Sequence, residues 1–68
     1  MALINEFTHN NIKYNVWVQD GFNGQQIAHV YKEGDAKNPI VGTTFGKMAS
    51  FKNDIMVWAK KCIEKNFS

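Results

Sequence analysis

The sequence contains no arginine. All eight of its basic residues are lysine, set against six acidic residues, which gives a formal net charge of +2. Arginine is the side chain best shaped to grip guanine edges and phosphates in a bidentate way. Its absence removes the commonest tool for reading a nucleic acid sequence. Cysteine is nearly absent too: Cys62 stands alone, so no disulfide can form within the chain. Small secreted domains lean heavily on such staples, so a reducing compartment is expected. Long apolar runs are missing as well. Nothing approaches the roughly 20 residues needed to cross a bilayer, and Met1 is not followed by a basic segment and an apolar core of signal-peptide type. The expectation is a cytoplasmic protein with no membrane partner. What is abundant is asparagine, at positions 5, 10, 11, 15, 23, 38, 53 and 66. An AT-rich genome would favour that same balance of asparagine and lysine over arginine.

The 68 residues make a single domain, residues 1–68. A chain this short buries only about 60% of its unfolded surface, and a deep substrate pocket would compete with the core for the same side chains. The expectation is a non-enzyme, and the motifs agree with it. His9, His29 and Cys62 show none of the local spacings of a zinc site. The glycine-bearing segment Asp20-Gly21-Phe22-Asn23-Gly24 links two strand-like runs, whereas phosphate loops open into helices. Phe45-Gly46-Lys47 stands before a helix, but no GxxxxGK pattern surrounds it. Asp20, Glu33 and Asp35 fall in turns, where polar residues are needed anyway. No carboxylate pair stands out as general acid and base. No catalytic residue, cofactor or metal is expected.

Periodicity supplies the architecture. From Ile12 to Gln19, Tyr14, Val16 and Val18 alternate with Lys13, Asn15, Trp17 and Gln19, the period of a strand with one buried face. The turn at 20–24 carries two glycines with Asp and Asn, which supply the positive φ of a tight reversal. Gln25 to Lys32 forms the second arm of a hairpin. Ile40 to Phe45, rich in β-branched residues, reads as a further strand, broken by Gly46. Residues 2–8 are ambiguous; a fourth strand turning at His9-Asn10-Asn11 is one reading. A helix is expected from Phe51 to Asn66, capped by Ser50. Its apolar stripe is Phe51, Ile55, Trp58, Ala59 and Cys62, with Asn53, Asp54, Lys60, Lys61 and Glu64 opposite. The fold class is α+β: a three- or four-stranded antiparallel sheet with one C-terminal helix packed on one face, in two layers.

A three-residue turn would set Val16 opposite Ala28 and Tyr14 opposite Val30 on the helix side. Trp17 would then face Ile27, Asn15 would face His29, and Lys13 would face Tyr31 on the other side. One helix can cover only one face. The candidate protein-binding residues are therefore Lys13, Asn15, Trp17, Ile27, His29 and Tyr31. An exposed patch holding Trp and Tyr suits a protein interface. Two other arrangements would hide Trp17: the N-terminal segment folded over it, or a homodimer.

Several residues carry a resemblance. Ile4 and Phe7 come early, Ile12-x-Tyr14-Asn15-Val16 opens a strand, and a glycine-containing hairpin leads to Ile27-Ala28-x-Val30. Val41-Gly42 precedes an aromatic, and Ser50 caps a helix bearing Trp58. In this pattern, size and element order the chain resembles the small sheet-plus-helix anti-CRISPR proteins of phages, in particular a type I-F inhibitor. The resemblance implies a phage protein in the host cytoplasm that binds a host nucleoprotein complex. It would block guide–target pairing there without chemistry. Three strands and a helix, with Phe45 ending the third strand and Trp58-Ala59 in the helix, also resemble the arm-type DNA-binding domain of phage integrases. That resemblance implies a sheet laid in the major groove and direct contact with nucleic acid. Only Lys13 and Lys32 would serve such a sheet, and affinity follows the number of phosphates neutralised. A homo-oligomeric structural protein, paired through the sheet face or an edge strand, is the third reading.

Overall fold

Residues 2–46 and 51–67 are described by a computed structural model, with the side chains of Phe51 and Lys52 outside that description. Four strands, β1 (Ala2–His9), β2 (Ile12–Asp20), β3 (Gln26–Lys32) and β4 (Val41–Phe45), precede one helix, α1 (Phe51–Asn66). The strands form one antiparallel sheet in the order β1-β2-β3-β4. Residues 2–8 thus belong to a true strand. The expected Ser50 cap, and Phe51 as a member of the apolar stripe, fall outside the described residues.

Each connection has a local cause. His9 pairs with Ile12 across a two-residue turn, and both turn residues, Asn10 (φ 51) and Asn11 (φ 65), are left-handed. This is the doubly positive turn whose twist matches that of the flanking strands, and asparagine tolerates it better than most residues. Between β2 and β3 the chain makes a tight turn at Phe22–Gly24, with Asn23 (φ 57) and Gly24 (φ 76) left-handed. Gly21 N–H donates to the Gln25 carbonyl at 2.8 Å, and Gln25 N–H donates to that of Phe22 at 3.0 Å.

This wider loop corrects the expected register. Val16 pairs with Val30, Val18 with Ala28, Trp17 with His29, Asn15 with Tyr31 and Gln19 with Ile27. The pairing has slid by two residues because five loop residues separate Asp20 from Gln26 rather than three. A slide of two preserves the faces, since side chains alternate with period two.

The core lies between sheet and helix. Tyr14, Val16, Val18, Ala28 and Val30 meet Ile55, Met56, Ala59 and Ile63. Ile4, Phe7, Ile40, Val41, Phe45 and Trp58 pack half-buried around them. In β1 the register shifts between Leu3 and Asn5. Ile4 is the extra residue of this bulge, and it turns toward the core. The helix crosses the sheet diagonally. Trp58 stands edge-on to Phe45 of β4, centroids 5.7 Å apart. Beyond the C-terminal end of the helix, Phe67 stacks on Tyr14 of β2 at 6.1 Å. The buried helical stripe differs from expectation: Met56 and Ile63 are in it, while Trp58 and Cys62 flank it, half-buried. Among the described residues no helix is long and apolar enough to cross a membrane.

Candidate protein-binding face

Alternate residues of the strands point away from the helix. On that face β2 contributes Lys13, Asn15, Trp17 and Gln19, and β3 contributes Ile27, His29 and Tyr31. Their cross-strand neighbours are Leu3, Glu6 and Thr8 of β1 and Gly42 and Thr44 of β4. Among the described residues no element covers this face. β1 lies beside β2 in the plane of the sheet, with Leu3 opposite Trp17, so the N-terminal segment does not fold over Trp17.

All six candidate residues share the face, but their exposure differs. Lys13 is exposed; Asn15, Trp17, Ile27 and His29 are half-buried. Tyr31 is a correction: it is only 8% exposed. Its ring meets the His29 imidazole edge-on, centroids 6.1 Å apart, and its cross-strand partner is Asn15. The outward side chains lie down on the sheet and cover one another. Gly42 makes this possible on β4: an added Cβ there would come within 2.9 Å of His29 Cδ2, so the missing side chain is the space the imidazole fills.

The face has an apolar end and a charged end. Toward the β2–β3 loop, Leu3 stands opposite Trp17, and Ile27 is the diagonal neighbour of Trp17 on β3. Ile27 borders a shallow depression with Asp20, Gly21 and Phe22. Phe22 is 87% exposed and Leu3 46%. Sequence reasoning passed over both. Leu3 sat in a segment whose structure was ambiguous. Phe22 was read as part of a turn, although an aromatic between two glycines is an unusual loop residue and was itself a signal.

Toward the other end stand Glu6, Lys13 and Glu33. Lys13 Nζ lies 3.4 Å from a Glu6 carboxylate oxygen and 3.9 Å from one of Glu33. The loop is pinned there by Glu33 N–H donating to the Lys13 carbonyl at 3.0 Å. The sheet's one outward lysine is therefore engaged by two carboxylates. Lys32, the other lysine of the sheet, pairs with inward-facing Tyr14 and so belongs to the opposite side. Lys60, Lys61 and Lys65 are exposed on the helix.

Beneath the aromatic layer, Asn15 Oδ1 and His29 Nδ1 are buried without a hydrogen-bond partner, the only such side-chain atoms among the described residues. A buried unpaired polar atom costs roughly 1–3 kcal/mol, so each calls for a physical reason. Both lie on the open face, where turning either side chain outward would offer a polar contact at the centre of the patch.

Little elsewhere suggests chemistry. Among the described residues no group of three or more His, Cys, Asp or Glu side chains is placed to hold a metal ion. Cys62 is a free thiol, half-buried at the flank of the helix. His9 Nε2 lies 3.2 Å from Asn10 Nδ2 at the β1–β2 turn, remote from His29. Comparison with known proteins adds no relative: no family model, no curated protein and no solved structure matches this chain significantly.

Proposed function

We propose that this protein is a non-enzymatic binding module that engages a protein partner through the open face of its sheet. The observation that carries the reading is the pairing of an uncovered apolar end (Leu3, Trp17, Ile27 and Phe22) with a charged end whose single lysine is held by two carboxylates. Aromatic and aliphatic anchors of this kind dominate protein interfaces. A sheet that lies on DNA needs cations free to replace counterions, and here carboxylates outnumber the ammonium. Electrostatics on this face therefore favour a protein surface over a phosphate backbone. The two unpaired polar atoms at its centre agree with a face completed by a partner.

The finer form of the proposal names a phage-encoded inhibitor that binds a host CRISPR surveillance complex and blocks target recognition. It rests on the resemblance of sequence pattern alone. The test has two stages. Tagged protein is used to capture partners from a bacterial lysate carrying such a complex, with and without nuclease, and again as Leu3→Asp and Trp17→Ala. The expected result is one defined complex, resistant to nuclease and lost in both variants while they remain folded. The captured complex is then assayed for binding to its guide-matched DNA with and without the protein. Recovery of nucleic acid alone, or capture indifferent to both variants, would reject the binding face. A complex that still binds its DNA would reject the inhibitor reading only.

A further inference from the structure

Among the described residues the sheet has two free edges, and they are built differently. β1 carries the devices that discourage edge pairing: the bulge at Ile4, the charged Glu6, and exposed polar residues Asn5 and Thr8. β4 is the shortest strand but carries no bulge and no charge. Its five residues, Val41-Gly42-Thr43-Thr44-Phe45, include no charge and no proline, and they pair with β3 in unbroken register. Among the described residues nothing pairs with its outer edge. A regular, uncharged edge with unpaired backbone groups is a template for another strand.

A second feature lies on the same side of the molecule. The flank of α1 toward β4 forms an open groove lined by Asp54, Val57, Trp58, Lys61, Cys62 and Lys65. Trp58 is the residue that meets Phe45 of β4, and Val57 is 52% exposed. Apolar surface thus continues from the inner side of the unguarded edge up onto the helix.

We infer that this edge is a homodimer interface: β4 pairs antiparallel with β4 of a second copy, making one continuous eight-stranded sheet with both helices on the same side. A two-fold axis through the strand is compatible with its sequence. With the axis at Thr43, Thr43 faces Thr43, Gly42 faces Thr44 and Val41 faces Phe45; Thr–Thr and aromatic–β-branched pairs are favourable cross-strand arrangements, and no like charges oppose. The groove's rim carries both signs, Asp54 and the two lysines, so a two-fold relation sets mixed charge against mixed charge. A foreign peptide would supply only the strand; a second copy supplies the strand and a matching helix flank. The dimer leaves the open sheet face free and is independent of the function proposed above.

Sedimentation equilibrium from low micromolar to about 0.5 mM spans weak and strong specific association. The expected mass rises from 7.8 kDa toward twice that value. Thr44→Lys, at an exposed position of β4, is expected to hold the protein at the monomer mass with its circular dichroism unchanged. Leu3→Lys, on the open face, is expected to dimerise as the parent does. In a Cys62→Ser background, Thr43→Cys should form an intermolecular disulfide on mild oxidation, and Asn5→Cys on the β1 edge should not. A monomer throughout the range overturns the inference. So does a dimer lost in Leu3→Lys and kept in Thr44→Lys, or cross-linking that favours Asn5→Cys.

Discussion

The two faces of the sheet are made from the same strands, residue by alternate residue, yet they are buried in different ways. On the inner face Tyr14, Val16, Val18, Ala28 and Val30 are at most 8% exposed, because α1 lies over them. On the outer face Asn15, Trp17, Ile27 and His29 are half-buried with no element above them. There the cover is lateral: the imidazole of His29 rests over Gly42 and against Tyr31. A face shielded by another layer loses that layer if a core contact fails. A face shielded by its own side chains can be opened one residue at a time. The first is suited to holding the fold, and the second to meeting a partner.

The largest expected effect comes from setting one face against the other. Ile55 is 1% exposed at the centre of the helix contact. Ile55→Ala should lower the unfolding free energy by about 3 kcal/mol, through lost burial and the cavity left behind. Trp17→Ala removes a larger side chain, but one that is partly exposed and that leaves an opening water can fill rather than a closed cavity, so about 2 kcal/mol is expected. Urea denaturation of both variants measures the contrast. Equal losses would mean that the outer face is a second core, and the binding reading would lose its basis.

That contrast was partly legible in the sequence. Period two in Ile12–Gln19 placed Tyr14, Val16 and Val18 on one face and Trp17 on the other, and the structure keeps that division. The pairing was not legible, because it depends on how many residues the loop consumes. The turn-forming residues at 20–24 are compatible with a three-residue reversal. The observed loop takes two successive left-handed residues, Asn23 and Gly24, and extends through Gln25. In the helix, Met56 and Ile63 were missed because Trp58 and Cys62 also satisfy spacings of three and four. Only the diagonal crossing, which brings Trp58 to Phe45 at the rim of the core, decides between the two stripes. Tyr31 could not be foreseen as buried, since strand alternation does not tell how a neighbouring ring such as His29 packs against it. The candidate face was found from strand alternation, while its most exposed anchor, Phe22, lay in a loop that has no periodicity to read.

A smaller effect tests whether lateral cover is what shields the outer face. In Gly42→Ala the new Cβ meets His29 Cδ2 at 2.9 Å. The imidazole is the movable group, so it should swing outward rather than force the strand apart. The expected destabilisation is about 1 kcal/mol, at the low end for overpacking, because the ring has open solvent to move into. NMR should show the His29 ring resonances shifting toward solvent-like values while those of Val16 and Ile63 stay in place. An unchanged His29 would mean that the strand had moved instead, and the face would be stiffer than its open surface suggests.

The smallest effect concerns the charged end. Lys13 faces Glu6 and Glu33, and all three side chains are well exposed. Exposed pairs contribute little because water screens them and ordering long side chains costs entropy. Lys13→Ala should therefore change stability by under about 0.5 kcal/mol, and less still at high salt. Its value lies in what it does to the comparison of faces. Removing the ammonium leaves two carboxylates uncompensated beside an otherwise intact apolar end. A partner that reads Leu3, Trp17 and Phe22 should bind this variant nearly as well as the parent, with a changed dependence of the association rate on salt. Capture abolished by Lys13→Ala alone would move the centre of recognition from the apolar end of the face to the charged one.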